Sequence, residues 1–371
     1  MKIICNKSDL MKALNTVTKA VPANTTMPIL KCVLINASSS NIKFTANDME
    51  LGIETNVNGF VSEKGVIALD AKLFSDIIRK LPESEVTISV DEKKNVTITC
   101  EKAKFNIMGL EPDDFPYLPF VEKDYKISLS QFTLKEVIRQ TIFSIATNDS
   151  NKVLTGELFD IKENRLRVIS LDGHRISIRN IELKDPYEDK KVIVPGKTLS
   201  EISKILSGGT EDSVDIYITE NHILFEFNEN IVVSRLIEGN YFQVDKMISN
   251  AYETKVTINR QDFMSCIDRA TLMVKEGDNR PIILNIDDHV MDMKISSQIG
   301  SLNDTIEIEQ EGKPIKIGFN PRLLLDAMRV IDDELVDIYY MNTKSPCFIR
   351  DEAGTYNYMI LPVNFEKSEK L

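Results

Sequence analysis

"KIICNKSDLMKALNTV" (2–17), "KISLSQFTLKEVIRQT" (126–141) and "KVTINRQDFMSCIDRA" (255–270) are one pattern written three times. Each opens with a short alternating run, the mark of a half-buried strand. Each then carries apolar residues at i, i+3, i+4 and i+7, the stripe of an amphipathic helix. The stripes are Leu10/Ala13/Leu14/Val17, Leu134/Val137/Ile138/Thr141 and Phe263/Cys266/Ile267/Ala270. A second pattern sits midway through each copy: "VIALDAKLFSDIIRKL" (66–81), "VIVPGKTLSEISKIL" (192–206) and "IKIGFNPRLLLDAMRVI" (315–331), aligned at an offset of 125 residues. Its stripes are Phe74/Ile77/Ile78/Leu81, Leu199/Ile202/Ser203/Leu206 and Leu324/Ala327/Met328/Ile331. Internal repetition of this kind decides the architecture before any single element does.

The unit is strand–helix–strands, six times over. After each second-pattern helix come alternating runs such as "VTISV", "VDIYIT" and "VDIYYM", rich in Val, Ile and Tyr. Two units make a domain of about 125 residues, an ordinary domain size. The predicted fold class is α+β: three repeated domains, each with two helices packed on antiparallel sheets. The predicted domains are 1–121, 126–245 and 246–371, with loop-like boundaries at "EPDDFPYLPFVEKD" (111–124) and "EGNYFQVDKMISNAYET" (238–254).

The 371 residues carry 57 acids against 45 bases, a net charge of −12, which argues against indiscriminate binding to nucleic acid or acidic membranes. Five cysteines, odd in number and never in a Cys-x-x-Cys pair, fit a reducing compartment and argue against a zinc site or a disulfide framework. The first ten residues are too short on apolar character for a signal-peptide core, and no apolar run has membrane-spanning length. A cytoplasmic protein without metal or cofactor is expected.

Within this acidic chain one basic pattern is regular. Lys72, Lys197 and Arg322 occupy equivalent positions in the three second-pattern helices, and so do Arg79, Lys204 and Arg329. The two positions lie seven residues apart, about two helical turns, on a face about 150° from the apolar stripe. Charges opposite an apolar stripe usually form a solvated face. Six bases at six equivalent positions instead predict a cationic, DNA-facing surface that holds phosphates without reading bases. Helices packed 8–10 Å apart, twelve around a closed circle, enclose a diameter on the order of 35 Å, wide enough for a duplex. Three domains supply six helices, so two chains would close the circle, as a symmetric dimer does.

"ISLDGHRIS" (169–177) holds one of three histidines. Asp-Gly between two alternating runs signals a hairpin turn. A catalytic reading of Asp172, His174 and Arg175 needs a nucleophile, and Ser170 and Ser177 qualify by composition only. No nucleophile elbow or metal-ligand spacing surrounds them, so no catalytic residue and no enzyme activity are assigned. An enzyme built around His174 and a repeat scaffold that never touches DNA are the competing readings.

Six segments in order, "PILKCVLI" (28–35), "DDFPYLP" (113–119), "LDGHRISI" (171–178), "VIVPGK" (192–197), "IGFNPRLLLDAM" (317–328) and "YMILPV" (358–363), resemble the bacterial DNA polymerase III beta subunits, the sliding clamps, over essentially the whole chain. The resemblance implies a head-to-tail homodimeric ring around double-stranded DNA, without catalytic activity. Its implied partners are the DNA polymerase III catalytic subunit, the clamp-loader complex and other polymerases and repair proteins. It also implies a partner-peptide pocket. From the second domain come Leu154, Leu171, Gly173, His174, Arg175 and Ile176. Phe242, Lys246 and Met247 come from the linker. The third domain adds Asn320, Leu323, Met359, Ile360, Leu361, Pro362 and Val363. Apolar members would seat Leu or Phe side chains of the peptide, and His174 and Arg175 would hydrogen-bond its backbone. The implied dimer joint pairs Phe105 and Ile107 with Leu272 and Met273 of a second copy. The chain departs from the family pattern at Asn24 and Asn151, where many relatives carry Arg, and in the charged tail 364–371.

Overall fold

The computed structural model describes residues 1–147, 151–274 and 280–365. Among the described residues six α-helices recur at the predicted places: α1 (Lys7–Val17), α2 (Ala71–Lys80), α3 (Gln131–Thr141), α4 (Gly196–Ile205), α5 (Arg260–Thr271) and α6 (Pro321–Val330). A strand leads directly into each. The chain must turn from strand into helix there, and short polar side chains cap the exposed N–H groups. Asp70 accepts from Leu73 N, Asn259 from Gln261 N and Asp262 N, and Asn320 from Arg322 N. All the predicted stripe residues are buried except Ser203, which is half-buried.

The strands of the described residues form four antiparallel sheets. The five-stranded sheet runs Gly59–Glu63, Lys2–Asn6, Glu85–Val90, Asn95–Cys100, Ala103–Met108. The eight-stranded sheet runs Lys126–Ser130, Ser213–Ile218, His222–Phe227, Asn230–Arg235, Leu51–Val57, Ile42–Asn47, Cys32–Ala37, Gly65–Asp70. It is continuous from the second repeat into the first, because Asn230–Arg235 pairs with Leu51–Val57. The seven-stranded sheet makes the same crossing one repeat later. It runs Gly156–Leu171, Arg175–Pro195, Tyr356–Ile360, Cys347–Arg350, Leu335–Tyr340, Thr254–Asn259, Glu309–Gly312. The fourth sheet runs Gly300–Glu307, Val290–Ser297, Ile282–Asp287, Ile315–Phe319.

This sharing of sheets sets the compact units. One comprises Met1–Lys135 and Lys197–Leu236, the other Glu136–Gly196 and Ile237–Leu371. Each unit is built where one repeat's closing strand adds to the preceding repeat's sheet, so the second repeat is divided between them. The stretches 109–125 and 236–253 hold no strand beyond a single bridge at Leu110 and a short 3₁₀ turn at Val244–Lys246. All five cysteines are buried and free. Among the described residues no helix is long and apolar enough to cross a membrane, and no cluster of His, Cys, Asp and Glu could hold a metal.

Candidate functional site

The hairpin between Gly156–Leu171 and Arg175–Pro195 turns on Asp172, Gly173 and His174. Gly173 stands at φ +86°, the left-handed region that a side chain disfavours. Asp172 holds the turn from inside: its Oδ1 accepts His174 N at 3.0 Å and Arg175 N at 3.1 Å. Arg175 is turned inward, with its side chain 11% exposed. Its Nε donates to Asp172 Oδ2 at 3.1 Å, its Nη1 to Asp326 Oδ2 of α6 at 2.7 Å, and its Nη2 to the Phe143 carbonyl. Its guanidinium lies 5.1 Å from the Phe143 ring centroid. Arg175 thus clamps the turn to α6, with Nε, Nη1 and Nη2 each donating one bond to protein. His174 remains exposed, and its carbonyl accepts Leu361 N at 2.9 Å, which fixes the chain beyond the strand Tyr356–Ile360 to the turn.

Strand alternation sorts the rest. Leu154, Leu171, Ile176 and Met359 share one buried cluster with Leu158, Ile169, Ile178, Val244, Tyr339 and Phe348, and Leu361 packs against it. Phe242 and Met247, in the segment that carries Val244, are exposed at 42% and 48%. Lys246 is exposed, and Pro362 and Val363 are half-buried. Ile360, one residue from Met359, points to the opposite face and joins the core of the third repeat, against which Leu323 also packs. Asn320 caps α6. Tyr241 is a member the sequence reading missed. It packs on the cluster and lies 3.2 Å from the Ile169 carbonyl through its hydroxyl. Period-two spacing from Leu171 back to Ile169 was a signal for the strand members, but nothing local marked Tyr339 or Phe348.

The other face of the same hairpin lies under α3. Ser170 Oγ donates to the Thr141 carbonyl at 2.6 Å, and the Ser177 and Ser144 hydroxyls meet at 2.5 Å, all four residues being buried. Both candidate nucleophiles thus face away from His174 and are engaged, so the geometry offers no catalytic constellation there. Glu157 is fully buried beside them, and burial pushes its carboxyl up to about 8. Thr141 Oγ1 donates to the Val137 carbonyl at 2.7 Å and lies 3.1 Å from Glu157 Oε2, a contact that lowers the carboxyl and works against the larger effect of burial.

The six basic positions are all exposed. Four have acids beside them on the same face: Arg79 pairs with Asp76 (3.0 Å), Lys204 with Glu201 (2.8 Å), Lys197 with Asp48, and Arg329 lies 3.9 Å from Asp326. Lys72 and Arg322 make no ion pair among the described residues. Phe105 and Ile107 point the same way from Ala103–Met108, an outer strand of its sheet with an unpaired edge. Leu272, 70% exposed, and the half-buried Met273 follow α5, with Met273 beside Gly300 on another outer strand. Asn24 is exposed on a bend, and Asn151 caps the 3₁₀ turn Lys152–Thr155 by accepting from Val153 N. Of the tail 364–371, residues 366–371 lie outside the described residues. Phe365 sits over Gly318, and Val363 N donates to the Gly318 carbonyl at 2.8 Å, covering the edge of Ile315–Phe319.

Three family models match in sequence order: the DNA polymerase III beta subunit N-terminal domain over residues 1–119, its central domain over 128–243 and its C-terminal domain over 246–364. The beta sliding clamp of Staphylococcus aureus is 35% identical over 98% of this chain and 99% of its own. Among solved structures, a Eubacterium rectale chain assigned as a DNA polymerase III beta subunit superposes with a TM-score of 0.96 at 61% identity, over 98% of this chain and 99% of that one. The DNA polymerase sliding clamp of Bacillus subtilis superposes at 0.94 with 33% identity over the same shares. With three ordered matches and relatives aligned end to end, the chain belongs to the DNA polymerase III beta subunit family, the sliding clamps.

Proposed function

We propose that this chain tethers its partners to DNA through the cluster built around Asp172–Arg175. Membership in the family makes it a processivity factor of DNA polymerase III, a homodimer that binds DNA and polymerase, working in the cytoplasm and not an enzyme. The residues that carry these functions are our own reading. Leu154, Leu171, Ile176, Met359 and Leu361 form the apolar wall that receives a partner's Leu or Phe side chain. Phe242, Lys246 and Met247 form its rim, with Gly173, His174, Pro362 and Val363 around the mouth. Asn320 and Leu323 border it from α6. Such sites pair apolar walls with a few polar anchors. The observation that carries this reading is the exposure of Phe242 and Met247 in the same segment whose Val244 is locked into the buried cluster. Polymerase III, the clamp loader and other polymerases and repair proteins are the proposed owners of the peptide.

Lys72, Arg79, Lys197, Lys204, Arg322 and Arg329 are proposed to face duplex DNA, and Phe105 and Ile107 to meet Leu272 and Met273 of a second copy in a closed ring. Outer strands with unpaired edges at both places support that joint, because pairing protects them. The test is retention on DNA. A ring at twice the 42.1 kDa chain mass, held on nicked circular DNA and lost when the circle is cut, is the expected result. Equal loss from intact circles, or a monomer at micromolar concentration, overturns the ring. For the pocket, His174→Ala and Met359→Ala are each expected to weaken binding of a fluorescent polymerase-tail peptide, and unchanged affinity in both overturns it.

A further inference from the structure

The turn at Asp172 has a structural double in the first repeat, at Asp48. There too the aspartate Oδ1 accepts two successive backbone N–H groups, from Glu50 at 3.0 Å and Leu51 at 2.7 Å. Asp48 N donates to the Leu51 carbonyl, as Asp172 N donates to that of Arg175. Met49 takes the place of Gly173 at φ +77°, against +86°. Arg235 N donates to the Glu50 carbonyl at 2.9 Å, the counterpart of Leu361 N on His174. The strand registers agree as well: Gly52 opposes Val233 as Ile176 opposes Met359. Beneath lies a small cluster of Tyr217, Leu224 and Val233, the counterparts of Tyr339, Phe348 and Met359. The turn's hydrogen bonds, its left-handed residue and its strand registers therefore recur in the other compact unit.

The recurrence leaves an open groove. It has a volume of about 320 Å³ and is lined by Met49, Tyr117, Pro119, Val233, His222 and Arg235 among others. Met49 is 54% exposed and Tyr117 63%. A long apolar side chain at a left-handed position is an outlier, and such outliers collect at functional places. The polar side is equally unspent. Arg235 makes no ion pair among the described residues, although Glu50 also lines the groove. His222, opposite Arg235 across the strand pair, has its pKa lowered by burial and by the Arg235 charge.

We infer that this groove is a second peptide-docking site, for a short segment that carries an apolar side chain and a carboxylate. The apolar side chain lies between Met49 and Tyr117 over Val233, and the carboxylate meets Arg235. The floor is shallower than that of the pocket. Gly52 replaces Ile176, and the Leu118 side chain fills the place where a Cβ at Gly52 would stand. The site is therefore matched to one inserted side chain, while the pocket receives more. A clamp with two unlike docking places on each copy can hold one partner by two segments, which multiplies affinity without further contacts. The inference rests in part on the reading of the Asp172 pocket, since it is by likeness to that pocket that the groove is identified.

The two sites carry separate methionine reporters. Methyl-labelled full-length protein is titrated with a short acetylated peptide bearing leucine and phenylalanine side chains and a free C-terminal carboxylate, following Met49 for the groove and Met247 and Met359 for the pocket. The expected result is a saturable shift of Met49 with its own midpoint. Arg235→Glu, an exposed change, should weaken that midpoint about tenfold and leave the one at Met359 unchanged. Met49→Gly removes one wall of the groove and should abolish the corresponding shift read through the Val233 methyls. An unmoved Met49 at millimolar peptide overturns the inference whatever Met359 does. So does a Met49 shift that only tracks the Met359 midpoint and ignores Arg235→Glu. A response of Met49 to a 20-base-pair duplex and not to peptide overturns it too, and makes the groove a nucleic-acid contact. A silent Met359 beside a responding Met49 removes the pocket reading alone.

Discussion

The turns at Asp48 and Asp172 share one backbone and differ in what they bury. At the last turn position the second repeat carries Arg175, clamped to Asp172, Asp326 and the Phe143 carbonyl, where the first carries Leu51, buried in an apolar core. At the left-handed position the second repeat has Gly173 and the first Met49. The same hydrogen-bond frame is thus stabilised once by a desolvated ion network and once by plain apolar burial. Repeat geometry comes from backbone hydrogen bonds and the apolar stripe, so side chains at the turn are free to diverge. Those that diverged decide rigidity and chemistry.

Substitutions at these positions sharpen the contrast. The largest expected effect is at Arg175. Arg175→Leu, which writes the first turn's residue into the second, leaves Asp172 without its cation and Asp326 with only the more distant Arg329, and should cost about 3–5 kcal/mol. Denaturant unfolding of both forms measures it. A loss below about 1 kcal/mol would mean that the two frames are interchangeable.

Next comes Glu157, behind the second turn and without an acidic counterpart role in the first. Its folded carboxyl titrates at about 8, above its value of 4.5 in an open chain. The folded state therefore holds a proton that the unfolded state releases, so stability contributed here is full below about pH 4.5 and is lost as pH rises through 8. The limiting cost above that range is just under about 5 kcal/mol. Glu157→Gln keeps a donor for Thr141 and cannot ionise. Its melting temperature should exceed that of the parent by an amount that grows from pH 6 to pH 9. Parallel pH profiles for the two proteins would place the titrating group elsewhere.

The left-handed positions predict a reciprocal pair. Gly173→Ala meets nothing within 4 Å, so it should lose only the backbone strain, about 1 kcal/mol. Met49→Gly should gain about the same amount in thermal denaturation, at the expense of the groove. Two changes of the same sign would break the equivalence of the turns. The smallest effects belong to the basic stripe. Lys72→Glu and Arg322→Glu remove cations without ion-pair partners and should lower the slope of log affinity against log salt for duplex DNA by about one each. Lys204, already beside Glu201 at 2.8 Å, should change it less.

Much of the molecule was legible in the amino-acid order. The threefold pattern, the six helices and their buried stripes follow from the spacing of apolar residues, because one face of each helix must leave water. The Asp-Gly turn and the exposure of the six basic positions were equally local. Sequence could not tell that Arg175 is consumed inside while His174 is free, since both are polar residues beside a turn. That outcome depends on Asp326 and Phe143, 151 and 32 positions away. Nor could it separate Met359 from Ile360, where strand pairing sends neighbours to opposite faces. The division of the second repeat between two compact units was likewise invisible, because it arises from strands pairing across repeats. Local spacing dictates which elements form and which faces are apolar. Only the tertiary structure decides which distant groups meet, because hydrogen-bond and charge partners are chosen by pairing register and not by neighbourhood in the chain.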